Sequence, residues 1–126
     1  MRAVDTNVLV RLIVRDDAKQ TEAADRFVEP GAWISHLVLA ETTWLLTSVY
    51  RRRPAQIAAA IEMLLEHEHL TLQDSDVVAA AKGLFRARPS IGFADCLVLE
   101  VARKAGHIPL GTFDRTLGKL EDVQRL

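Results

Sequence analysis

The sequence predicts an α/β fold, a mainly parallel sheet covered by helices on both faces. Three observations carry this expectation. Short apolar runs alternate with stretches of helical periodicity along the chain. The early apolar runs end in residues that cap helices. Finally, 126 residues, 49% hydrophobic and 26% charged, are enough to bury the core of one domain spanning residues 1–126. Strands that alternate with helices are joined by crossovers, and crossovers make neighbouring strands parallel and cover the sheet.

The elements follow in order. Arg2-Ala3-Val4-Asp5 reads as a first strand. Asp5-Thr6-Asn7 then caps a helix carrying Val8, Leu9, Leu12 and Ile13. From Asp17 to Val28, the residues Ala18, Thr21, Ala24 and Val28 recur at helical steps, and Pro30-Gly31 breaks the pattern. Ala32 to Ser35 supplies the second strand, and Ser35 caps a helix from about His36 to Tyr50. Pro54 opens the next helix, patterned through Ile57, Ile61, Leu64 and Leu65 as far as His69. Leu70-Thr71-Leu72 is the third strand. Asp74 or Ser75 then caps a helix carrying Val77, Val78, Ala81, Leu84 and Phe85. After a loop at Arg88–Gly92, the segment Phe93 to Ala105 is helical and stops at Gly106, a natural C-terminal residue. His107 to Phe113 reads as a fourth strand, Asp114 to Leu120 as a helical turn or two, and Val123 to Leu126 as an edge strand.

Composition excludes several classes. Sixteen basic against seventeen acidic residues leave a net charge of −1, so any nucleic-acid contact must come from a local basic patch. The apolar stretch Leu37 to Leu46 is interrupted by Glu41, Thr42 and Thr43, so no membrane span is expected. Asp5 stands too early for a secretory leader, which makes the cytoplasm the expected location. Cys96, the only cysteine, has apolar neighbours and reads as a buried core residue. Trp33 and Trp44 read as core aromatics, and His67 and His69 as residues of a polar helix end.

Four acids are out of place in this pattern. Asp5 ends the first strand and Asp114 follows the fourth, and in open parallel sheets ligands bind outside the carboxyl ends of the strands. Glu41 has Leu37, Val38, Trp44 and Leu45 one turn away, and Asp95 is followed along its helix by Val98, Leu99 and Ala102. Both are therefore expected to point inward. Four carboxylates brought together repel strongly unless a cation sits among them. Oxygen ligands without His or Cys suit Mg²⁺ or Mn²⁺ rather than zinc. Such a centre binds phosphate and activates water. Lys82, Arg86 and Arg88 lead into the loop before Asp95 and are candidate phosphate contacts. Arg51-Arg52-Arg53 reads instead as a solvated helix end.

Val4-Asp5-Thr6-Asn7, the helical Glu41, Phe93-Ala94-Asp95 and Thr112-Phe113-Asp114 stand in an order and at spacings that resemble PIN-domain ribonucleases. The similarity is greatest to the VapC toxins of bacterial and archaeal toxin–antitoxin pairs. It implies a five-stranded parallel sheet in a three-layer α/β/α arrangement. It also implies a metal-dependent endonuclease that cuts RNA to leave a 5′-phosphate and a 3′-hydroxyl. By the same resemblance Asp5 and Asp95 would be the main ligands of Mg²⁺ or Mn²⁺, with Glu41 and Asp114 completing the acidic pocket. Asn7 and Thr112 would support it by hydrogen bonding, a cognate antitoxin would be the protein partner, and the chain would form a homodimer.

Other readings meet specific obstacles. A phosphatase of the haloacid-dehalogenase type needs a second Asp two residues after the first, where this chain has Asn7. A phosphoacceptor receiver domain needs an acidic pair after strand one and an Asp ending strand three, and Leu72-Gln73-Asp74 imitates that poorly. A PIN fold that only binds RNA or protein remains compatible with the pattern, although binding alone has no need of four acids.

Overall fold

A computed structural model describes residues 1–126. The elements, in order, are β1 (Arg2–Ala3), α1 (Thr6–Val14), α2 (Ala18–Val28), β2 (Ala32–Ile34), α3 (His36–Ser48) and α4 (Pro54–Glu66). They continue with β3 (Leu70–Leu72), α5 (Ser75–Ala87), α6 (Phe93–Ala105), β4 (Leu110–Thr112), a 3₁₀ turn (Leu117–Lys119) and β5 (Val123–Arg125). Every strand pairing is parallel, as the alternating order requires. β1, β2 and β3 form one ladder, with Arg2 opposite Ala32 and Ala32 opposite Leu70, while β4 and β5 form a second with Leu110 opposite Val123. The architecture is α/β/α with a mainly parallel sheet and five strands.

Local chemistry sets most boundaries. Asp5, Asp17 and Ser35 each adopt an extended backbone, and each side chain accepts a hydrogen bond from the N–H three residues on: Val8 at 3.2 Å, Gln20 at 3.0 Å and Val38 at 3.1 Å. These oxygens satisfy helix donors that have no partner within the helix. Asp17 is not among the acids discussed below. Replacing it by alanine is expected to lower stability by about 1 kcal/mol in urea unfolding, and no change would show that water caps α2 equally well. Gly106 ends α6 in the left-handed region, φ 80°, where a β-carbon would be strained.

Strands and helices are trimmed relative to expectation. β1 stops at Ala3 because Asp5 is already the cap of α1. α3 stops at Ser48 and α4 at Glu66, where His67 turns to extended backbone. The fourth strand pairs over three residues only.

The core is one cluster built from α1 through α6 and the strands between them, and it includes Leu9, Ile34, Leu39, Leu46, Ile61 and Val78. Cys96 lies within it, as expected, and burial pushes its thiol up to about 11. The two tryptophans depart from expectation. Ala32 and Ile34 are buried, and Trp33 between them points to the opposite, partly exposed face of β2. Trp44 is 63% exposed. Apolar residues occur all round α3, so periodicity cannot choose its buried face, and packing chooses Leu39, Thr42, Thr43 and Leu46. Thr42 and Thr43 are tolerated there because their hydroxyls donate to Val38 O at 2.7 Å and Ala40 O at 2.9 Å within the helix.

Candidate active site

Asp5, between β1 and α1, accepts on Oδ1 from the Val8 N–H, so one of its oxygens is engaged as a cap. Asp114, just beyond β4, is built in the same way. Its Oδ1 accepts from Leu117 N–H at 2.7 Å, and its own N–H donates to Thr112 Oγ1 at 3.0 Å. Thr112 thereby holds the backbone of Asp114. Asn7 is exposed on the first turn of α1 and makes no side-chain hydrogen bond of its own.

Glu41 and Asp95 correct the expectation of inward-pointing acids. Both are exposed. Glu41 falls on the stripe of α3 with Leu37 and Trp44, which faces away from the buried residues of that helix. Asp95 lies in the first turn of α6, and Gly92 before it provides no side-chain cap. Exposure explains how Glu41 persists in an apolar stretch without a counter-charge, while Asp95 has lost part of its hydration.

Packing links the four. α1 follows directly from Asp5 and packs on α3, and α3 packs on α6. Asp95 in turn feels Asp114. Its carboxyl is pushed above the ordinary carboxylate range, first by loss of hydration and then by the charge of Asp114. α6 is also clamped to the segment between Asp114 and β5. Arg103 bridges Glu100 at 2.5 Å and Asp122 at 3.0 Å, and donates to Glu121 O at 2.9 Å.

None of the four acids forms an ion pair with Lys, Arg or His. The donor set fits a hard divalent cation in chemistry, being all oxygen and free of protein cations. Spacing fits less completely, since no group of three acids, histidines or cysteines stands close enough to hold an ion. The residues brought nearest in charge are Asp95 and Asp114.

The basic candidates divide. Lys82 is taken up by Glu62 on α4 and is largely covered, so it is a structural partner rather than a free phosphate contact. Arg86 stands 3.8 Å from the same carboxylate, and Arg88 is exposed with no acidic partner. The pairing of Lys82 with Glu62 was hidden because they lie twenty residues apart on different helices. His67 and His69 are half-buried rather than fully exposed, with the His69 N–H donating to His67 Nδ1 at 3.1 Å.

One feature of this region escaped the sequence reading. A cavity of about 220 Å³ lies beside the start of α6, lined among others by Trp44, Arg52, Phe93 and Ala94. Its one signal in the sequence is Trp44 one turn beyond Glu41, a position equally consistent with a core aromatic.

The family model of the PIN domain matches residues 2–123 of the chain. No curated protein matches it.

Proposed function

The chain belongs to the PIN-domain family, and on that premise we propose that it is a metal-dependent endoribonuclease acting as the toxin of a toxin–antitoxin pair. PIN domains are generally metal-dependent nucleases, so nuclease-type function and nucleic-acid binding follow from membership. Membership also sets aside the phosphatase and receiver readings. The observation that carries the finer reading is the set Asp5, Glu41, Asp95 and Asp114: the first three on or beside the packed helices α1, α3 and α6, the fourth acting on Asp95 through its charge, and none neutralised by a protein cation.

Asp95 and Asp114, completed by Asp5 and Glu41, would hold Mg²⁺ or Mn²⁺. Bound there, the cation would lower the pKa of water and stabilise charge on the phosphodiester. Thr112 keeps the Asp114 backbone fixed, and the 3₁₀ turn uses one Asp114 oxygen, leaving the other free. Glu41 has no hydrogen-bond partner and is free to accept a proton from the attacking water. Arg88 supplies an unpaired cation for the RNA backbone near the loop before α6. Exposed Leu37, Val98 and Val101 on α3 and α6 support docking of a second copy or of an antitoxin. No helix is long and apolar enough to cross a membrane.

Antitoxin-free protein incubated with a pool of structured RNAs in Mg²⁺ or Mn²⁺ is expected to produce fragments with 5′-phosphate and 3′-hydroxyl ends. EDTA should abolish this and added Mg²⁺ restore it. Cleavage that persists in EDTA would sink the metal-dependent mechanism. The absence of any three-acid group favours one second reading, a PIN fold that binds RNA without cutting it. RNA retention without cleavage in either metal would select that reading.

A further inference from the structure

We propose that the cavity beside the start of α6 receives one unpaired nucleobase of the RNA, stacked on Trp44 with Arg52 holding its phosphate. The inference rests on the nuclease reading, because it concerns the nucleotide next to the acids. Trp44 stands one turn beyond Glu41 on α3, and Ala94, in the cavity wall, immediately precedes Asp95. The lining therefore shares α3 with Glu41 and the first turn of α6 with Asp95.

Its size and surface fit a base. A volume of about 220 Å³ exceeds the roughly 150 Å³ that admits a benzene ring. Phe85 and Phe93 form an apolar floor, their rings edge to face at 6.1 Å. Trp44 forms an aromatic wall that is 63% exposed, an unusual position for so large an apolar side chain. Thr43 and Thr47 donate their hydroxyls within α3, which leaves oxygen lone pairs as the polar groups they can offer a ligand.

Charge selects the occupant. Arg52 is the only basic residue of the lining, and its guanidinium makes no ion pair and no side-chain hydrogen bond. Its backbone is held by donation from its N–H to Leu46 O at 2.8 Å, after the chain leaves α3. An unpaired arginine and an exposed indole lining one cavity match a nucleotide, which brings an anionic phosphate for the one and a flat ring for the other; Arg52 also borders a neighbouring hollow with Leu46 and Gln56. A base paired within a duplex cannot reach such a cavity, so the site selects single-stranded or looped RNA.

The test is binding of a fluorescent 2′-O-methyl hexaribonucleotide in EDTA, where cleavage plays no part, followed by anisotropy. Trp44→Ala is expected to weaken binding about ten-fold, Trp44→Phe to keep most of it, and Arg52→Ala to weaken it with a smaller dependence on salt. In Trp33→Phe, which leaves Trp44 as the sole tryptophan, the oligonucleotide should quench emission saturably at the same midpoint. Trp44→Ala binding as tightly as wild type, or Trp33→Phe emission that does not respond, overturns the inference. So does unchanged RNA binding accompanied by loss of a dimer in sedimentation, which would assign Trp44 to a second copy. The two readings fail separately. RNA cleavage without quenching defeats the base site alone, whereas quenching without cleavage in any metal supports the base site and defeats the nuclease.

Discussion

Asp95→Asn is expected to reduce RNA cleavage by roughly a hundred-fold or more while leaving the fold intact, because it removes one of the two acids whose charges act on each other. The variant should also be slightly more stable than wild type in EDTA at neutral pH. The sign follows from the direction of the shift. The folded protein holds the Asp95 proton more tightly than the unfolded chain does, since lost hydration and the Asp114 charge both oppose ionisation. Ionisation at neutral pH therefore costs stability, and that cost disappears as pH falls through the raised titration of the group. Asparagine cannot ionise, so the melting temperature at neutral pH should rise slightly, with the difference vanishing in acid. The same proton competes with a divalent ion. Wild-type cleavage should thus fall with decreasing pH at higher values than an ordinary aspartate would dictate. Cleavage by Asp95→Asn at the wild-type rate, with EDTA still inhibitory, would move the centre away from Asp95.

Leu9→Ala is expected to remove about 3 kcal/mol of stability and to lower the melting temperature by roughly 10 °C. Leu9 is fully buried in α1, which packs against both α2 and α3. Truncation there loses apolar contact and leaves a cavity that surrounding helices cannot fill completely. For a domain whose total stability is about 5–15 kcal/mol, that is a large fraction. The matched control is Leu37→Ala on the first turn of α3, where the side chain is 79% exposed and the change should stay within about 0.5 kcal/mol. Urea midpoints with an unchanged slope would measure both. Equal losses at the two positions would contradict the assignment of buried and exposed faces.

Much of the frame was legible in the sequence because it is specified locally. Asp5 and Ser35 cap the helices they were expected to cap, and Asp17 caps α2 in the same way, since the cap hydrogen bond spans only three residues. Gly106 ends α6 by its own conformational freedom. The place of Asp114 in the chain marks it as a strand-end acid, and it follows β4 directly, whereas a supporting role for Thr112 comes only from the family resemblance. Glu41 and Asp95 were located on the right helices but turned the wrong way. Their apolar sequence neighbours were read as surroundings, whereas several of those neighbours, Leu37, Trp44 and Val98 among them, are themselves exposed.

The sequence by itself determined the order of strands and helices, the parallel pairing and the identity of the unpaired acids, because caps, periodicity and chain order act over a few residues. Only the tertiary structure decided which face α3 buries, that Lys82 is spent on Glu62, and that Trp44 and Arg52 meet at one cavity. Each of those depends on which distant surface packs against a helix. Where apolar residues surround a helix on every side, only the neighbours can choose between its faces.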